Sequence, residues 1–194
     1  RHTEELALLT PLDKPIRVAM AMRNVGWTSY LAGDAVAGER QLEDALAACQ
    51  RLGYHHGAAA VMSDLATVVM ERGEHIRAAA LLHDKLTLTW DAWGLRHTIE
   101  QLAEVAAACG DSARASRLFG AAEAFRDQIG STLAPSTHAR YEPYVAMARA
   151  ALGNDAFIAA WAAGRLLSLD EARAEAAQVA QAPASVRSPD AAPN

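Results

Sequence analysis

The sequence has few aromatic residues, few β-branched residues and only two cysteines. Phe, Trp and Tyr together make up 6% of its 194 residues, whereas hydrophobic residues as a whole make up 52%. The apolar content is dominated by Ala and Leu, which favour helices, while the residues that favour strands are sparse. The composition predicts an all-α globular protein and excludes a disordered chain.

The charge distribution lacks any block of Lys or Arg, and the formal net charge is −5. Without a basic patch, the chain is not expected to bind nucleic acid or an anionic membrane surface. It also has no secretory signal and no apolar run of ~20 residues, so we expect a soluble, cytoplasmic segment. The chain begins at Arg1 without a Met, and we expect it to be a piece of a longer protein.

The two cysteines, Cys49 and Cys109, each lie within an Ala/Leu-rich run that is typical of a helix. A disulfide or a redox switch is one interpretation. The favoured interpretation is a pair of small buried hydrophobic residues in a reducing cytoplasm.

Short breaks that contain glycine interrupt the helical pattern about every 40 residues. They are Gly33-Asp34, Gly73-Glu74, Gly110-Asp111 and Gly153-Asn154. A glycine just past a helix end supplies the left-handed cap, and an acidic or amide residue beside it can start the next helix. Each break therefore predicts the tight turn of a helix hairpin.

Small and large residues recur at matching positions after these turns. The small ones are Gly38, Ala78 and Ala115, and the large ones are Leu42, Leu82 and Phe119. A small residue lets two helices approach closely, and a large one fills the gap between neighbouring hairpins. Because one hairpin cannot bury both its apolar faces, stacked hairpins would form a shared core.

This pattern resembles the tetratricopeptide repeat, although the spacing exceeds its ~34 residues and the consensus Pro at the repeat end is missing. The resemblance implies an all-α solenoid of about four tetratricopeptide-like helix hairpins plus flanking helices. The last hairpin is expected over Thr137–Leu152 and Asp155–Leu166, and Ser168 has the capping-box spacing to Glu171 that starts a final helix. We predict one repeat domain over residues 1–180 and an Ala/Pro-rich flexible tail or linker over residues 181–194.

The last third of the chain carries a more specific motif string. It includes Leu118-Phe119-Gly120-Ala121-Ala122-Glu123, Ala139-Arg140-Tyr141, Ala148-Arg149, Ala160-Trp161 and Leu167-Ser168-Leu169-Asp170-Glu171-Ala172. Over about residues 100 to 172 the chain resembles the C-terminal helical-repeat region of large bacterial signalling-ATPase transcriptional regulators of the MalT/AfsR/LuxR type. Neither the ATPase motif nor the helix-turn-helix of such regulators occurs in this sequence. The resemblance implies an interaction or inducer-sensing arm that restrains or releases the rest of a regulator.

Motifs that carry catalysis are missing from the sequence. There is no phosphate-binding loop, no dinucleotide fingerprint, no HExxH and no CxxC. The acidic residues are dispersed, which favours solvated helix faces over a catalytic pair of carboxylates.

His97, Glu100 and Glu104 share one helix face, where a metal or acid–base site is one interpretation. The polar lining of a groove is favoured because one helix supplies too few ligands, so we predict no enzyme activity, no metal and no cofactor.

A candidate binding strip follows the helix faces that line the concave groove of such solenoids. Its members are Met20, Arg23, Asn24, Trp27, Tyr30, Ser63, Asp64, Thr67, Glu100 and Glu104. An aromatic residue with Arg and Asn beside it is a plausible anchor for a ligand. Alternatively, Trp27 is covered by whatever precedes Arg1.

Trp90 and Trp93, at a helix end, are expected to pack between hairpins.

The sequence favours a non-catalytic protein-interaction or inducer-sensing repeat module of a bacterial transcriptional regulator. The alternative is a generic tetratricopeptide-type adaptor unrelated to transcription. A helical enzyme or metal-binding domain would need a second set of ligands near His97 and Glu100. Expected partners are a protein or peptide, other domains of the same polypeptide, or a small-molecule inducer. A further hypothesis is a homodimer through the truncated N-terminal end, where an apolar hairpin face would be exposed.

Overall fold

The computed structural model describes residues 15–89, 91–132 and 135–181, and all regular structure in these ranges is helical. The α-helices are α1 Pro15–Leu31, α2 Ala35–Arg51, α3 His55–Glu71, α4 His75–Leu88, α5 Ala92–Ala108, α6 Ser112–Gln128, α7 Pro135–Leu152, α8 Asn154–Arg165 and α9 Leu169–Ala177. A short 3-10 helix, Gln178–Gln181, follows α9. The prediction of an all-α protein is confirmed. No helix in the described ranges combines the length and the apolar character that crossing a membrane requires.

The described residues form two compact units, one up to residue 89 and one from residue 91. The first unit contains α1 to α4, and the second contains α5 to α9 with the 3-10 helix. The prediction of a single repeat domain over residues 1–180 stays a prediction. Residues 182–194 of the predicted tail lie outside the described residues.

The predicted hairpin turns occur where the glycines indicated them. The φ angles of Gly33, Gly73 and Gly110 are 93°, 78° and 83°, in the left-handed region that glycine tolerates. In the first turn the Asp34 N–H donates to the Ser29 carbonyl oxygen at 3.0 Å. The Asp34 carboxylate then accepts a hydrogen bond from the Ala37 N–H at 2.9 Å. One residue pair thus ends one helix and starts the next.

In the first unit, α1 and α2 cross at a pair of glycines. A Cβ atom on Gly38 would lie 2.9 Å from the carbonyl oxygen of Gly26, so neither position has room for a side chain. Leu42 beside this crossing is completely buried. The predicted roles of Gly38 and Leu42, close approach and filling of the core, are confirmed. From this hairpin α2 packs on α3, and α3 packs on α4.

In the second unit, α5 and α6 form a hairpin, and α8 packs mainly against α6 rather than against its sequence neighbour α7. This crossing is a backbone contact. A Cβ on Gly120 would overlap the Trp161 carbonyl group, and one on Gly164 would overlap the Arg117 carbonyl group. Helix α9 begins at the predicted capping box and packs against α5 and α6.

Candidate functional site

The centre of the predicted strip in the first unit is an ion pair between α1 and α3. The Arg23 Nε donates to one Asp64 carboxylate oxygen at 2.6 Å, and its Nη2 donates to the other at 3.1 Å. Asp64 is buried, whereas the Arg23 side chain keeps 29% of its surface exposed. Burial raises the pKa of Asp64, and the Arg23 guanidinium opposes that rise. The structure therefore brings these two predicted residues together and fixes the direction of the guanidinium.

The aromatic part of the strip lies on α1. The ring centroids of Trp27 and Tyr30 are 5.0 Å apart, with the ring planes tilted by 41°. Both side chains are half-buried, as is Asn24. Tyr30 and Met20 pack against the core cluster of this unit, so both contribute to the core as well as to the strip. Trp27, with Asn24 and Arg23 beside it, leaves part of its surface open to solvent.

The α3 part of the strip is buried and hydrogen-bonded. The Ser63 hydroxyl accepts a hydrogen bond from the Lys85 ammonium at 2.9 Å. The Thr67 hydroxyl donates to the Ser63 carbonyl oxygen at 3.2 Å. Ser63, Thr67 and Lys85 are all less than 9% exposed. The α3 residues therefore form the buried part of the strip, and the accessible part is on α1. Partner binding at this strip stays a prediction.

The other two predicted residues, Glu100 and Glu104, lie on α5 in the second unit. Glu100 accepts hydrogen bonds from Arg96 at 2.7 and 2.8 Å and forms an ion pair with Arg126 of α6. Glu100 is 2% exposed and Glu104 is 3% exposed. The expectation that acidic residues occupy solvated helix faces is wrong for these two, because basic residues from other turns and helices pair with them in the interior.

The Glu104 carboxylate has fewer hydrogen-bond partners than the Glu100 carboxylate. One of its carboxylate oxygens accepts a hydrogen bond from Arg140 of α7 at 2.7 Å, and the other has no hydrogen-bond partner. Burial raises the pKa of Glu104 to about 8, because desolvation outweighs the opposing effect of Arg140, and the negative charge of Glu100 adds to the rise. At neutral pH this carboxyl group is therefore mostly protonated.

The histidine that shares this helix face does not complete a metal site. The His97 ring is stacked on Trp93, with centroids 6.1 Å apart and planes within 5° of each other. The described residues contain no group of three or more His, Cys, Asp or Glu side chains that could hold a metal ion. Trp93 is 61% exposed, so the expectation that it packs between hairpins is wrong. Trp90 lies outside the described residues.

Both cysteines are free thiols. Cys49 is buried in the core of the first unit, and Cys109 is half-buried. Burial raises the pKa of both thiols, and this disfavours the reactive thiolate. The interpretation as small buried side chains holds for Cys49 and in part for Cys109.

Sequence reasoning missed the cations that neutralise these acidic residues. Arg126 lies 26 positions from Glu100, and Arg140 lies 36 positions from Glu104, so no helical spacing connects either pair. Arg140 does fall within the Ala139-Arg140-Tyr141 part of the motif string. That string was a usable signal for Arg140, although it did not reveal the pairing with Glu104.

Comparison with known proteins connects the chain to regulators of transcription. Three curated mycobacterial proteins, one from Mycobacterium bovis and two from strains of Mycobacterium tuberculosis, are each 32% identical to it over 166 residues. Each is named "Putative HTH-type transcriptional regulator". The alignment covers 84% of this chain, and the chain spans 18% of the length of these relatives. No protein-family profile matches the chain. No solved structure matches it.

Proposed function

We propose that this chain is a non-catalytic, partner-binding helical module of a bacterial transcriptional regulator, assembled from tetratricopeptide-like hairpins in the cytoplasm. The observation that carries the proposal is the similarity to proteins named as transcriptional regulators over 84% of the chain. Since the relatives are several times longer, the module would act on the other domains of its polypeptide or on a separate protein.

The hairpins support the repeat part of the proposal. Turns of the same kind at Gly33, Gly73 and Gly110 join successive helix pairs. The equivalent large residues after them, Leu42, Leu82 and Phe119, are each 0% exposed. Arrays of such hairpins present continuous helix faces, which bind peptides and protein segments.

The accessible face of α1 is the contact surface that we propose. Trp27 is a half-buried aromatic side chain, and aromatic and Arg side chains dominate the binding energy of protein interfaces. The ion pair with Asp64 holds the Arg23 guanidinium in one orientation, so a partner would not have to immobilise it. This surface fits a protein or peptide segment that offers an apolar side chain to Trp27.

The test is amide hydrogen exchange on the chain, with and without the remaining domains of the regulator. We expect slower exchange over residues 20–31 and 60–71 in the presence of those domains. Trp27→Ala should weaken the complex by about 2 kcal/mol, or about 30-fold in Kd, as for an aromatic anchor. Trp93→Ala, which removes an exposed Trp in the second unit, is the matched control and should leave Kd unchanged.

Unchanged exchange over both segments would reject this surface as the contact with those domains. If the regulator's own domains gave no protection but another protein did, the generic adaptor would be the better description. A phosphate-binding loop or a helix-turn-helix encoded elsewhere in the same gene would support the regulator.

A further inference from the structure

A pocket of about 360 Å³ opens on the second unit between α6, α7 and α8. One wall is aromatic, with the ring centroids of Phe157 and Trp161 5.3 Å apart. Ile158, which is 53% exposed, forms an apolar edge. The volume lies within the ~300–1,000 Å³ that is typical of small-molecule sites, and a mostly apolar wall with few polar groups is typical of them as well.

The acidic side of this pocket is already neutralised. The Trp161 indole N–H donates to the Glu123 carboxylate at 2.7 Å, and Arg165 forms an ion pair with the same carboxylate. Arg165 also pairs with Asp127 at 2.9 Å. These contacts hold the Trp161 ring in place and leave Glu123 with little attraction for a cationic ligand.

The basic side of the pocket is formed by the Arg149 guanidinium. The Arg149 Cζ atom lies 4.4 Å from the centroid of the Phe157 ring, as in a cation–π contact. Among the described residues, no carboxylate forms an ion pair with Arg149. The pocket therefore combines an aromatic wall with a positioned positive charge that no described carboxylate neutralises.

We propose that this pocket binds a small aromatic carboxylic acid, with its carboxylate on Arg149 and its ring against Trp161 and Ile158. A planar guanidinium matches the two oxygens of a carboxylate, and the aromatic wall offers a flat surface for the ring. A cationic ligand would meet Arg149 as a like charge. This site goes beyond the proposed function, because it would exist even if the α1 surface had no partner.

The test is a titration of the ¹⁵N-labelled chain with 2-naphthoate, and separately with its uncharged counterpart 2-naphthamide. The indole N–H cross-peak of Trp161, assigned with Trp161→Phe, reports on the pocket wall. We expect this cross-peak to shift in a saturable way with 2-naphthoate, and at least about fivefold weaker binding of 2-naphthamide, since hydrogen bonds to charged groups are the stronger ones.

Two variants and a control separate this site from non-specific association. Arg149→Gln should weaken 2-naphthoate binding about fivefold to tenfold, and Ile158→Glu should abolish it by placing a negative charge at the pocket edge. Arg40→Gln, which removes an exposed arginine of α2 in the first unit, should change the affinity less than twofold. Circular dichroism verifies that each variant is folded. Equal affinity for the two probes, or an Arg149→Gln variant that binds like the native chain, would overturn the proposal.

Discussion

The backbone contact between α6 and α8 predicts that a Gly→Ala substitution there is destabilising, which is the opposite of what helix propensity alone predicts. At an exposed position in the middle of a helix, Gly→Ala stabilises by about 1 kcal/mol. At Gly120 the added methyl group would overlap the carbonyl group of Trp161, which cannot rotate away as a side chain could. Overpacking of this kind costs about 1–3 kcal/mol. We expect Gly120→Ala to lower the free energy of unfolding by about 2 kcal/mol.

Urea denaturation followed by circular dichroism measures this difference. Gly164→Ala should give a loss of the same sign, because its Cβ would overlap the Arg117 carbonyl group across the same crossing. Ala159→Gly, at an exposed position of α8, is the control and should cost only the propensity difference of about 1 kcal/mol. A Gly120→Ala variant as stable as the native chain, or more stable, would refute the close crossing of the two helices.

Three further predictions concern buried and half-exposed charges. Glu104 has a pKa of about 8 in the folded chain and an ordinary pKa of 4.5 in the unfolded chain. The free energy of unfolding should therefore fall by up to ~1.4 kcal/mol per pH unit as the pH rises between these values. Glu104→Gln should flatten that slope in urea titrations at pH 5, 6.5 and 8. Arg23→Ala should destabilise the first unit by about 1–2 kcal/mol, because it leaves Asp64 buried without its cation. The double variant Arg23→Ala/Asp64→Asn should recover part of that stability, and thermal denaturation measures both changes. Arg77→Gln, which breaks pairs with three glutamates at a half-exposed site, should cost less than about 1 kcal/mol at low salt and less still in 1 M NaCl.

The outcomes that would contradict these predictions are equally direct. A native pH slope retained in Glu104→Gln would assign the titration to another group. Strictly additive losses from Arg23→Ala and Asp64→Asn would mean that the two side chains do not interact. A salt-independent effect of Arg77→Gln would indicate lost packing rather than lost charge.

The hairpin turns could be predicted from sequence because the signal is local. A glycine after an apolar helical run, followed by an acidic residue, is sufficient to end one helix and start another, as at Gly33-Asp34 and Gly110-Asp111. The burial of Leu42, Leu82 and Phe119 followed from their equivalent positions after these turns. Periodicity and capping therefore predicted the helices and much of their buried face.

The packing partners and the ion pairs depend on residues far apart in the sequence. Nothing in the sequence around Gly120 indicates that Trp161 will cross it, and the expected pairing of the last two helices with each other was weaker than the contact of α8 with α6. Glu100 and Glu104 read as surface residues because Arg126 and Arg140 are brought to them only by tertiary structure. The pocket beside Arg149 was missed for the same reason.

The crossing of α6 and α8 also determines how selective the neighbouring pocket can be. Since two backbones touch at Gly120 and Gly164, α8 has no layer of side chains through which it could slide or rotate. The rings of Phe157 and Trp161 are therefore placed before a ligand arrives, and little conformational entropy is lost when it binds. Selectivity at this site would therefore depend on how well the ring of the ligand fits against these two fixed side chains.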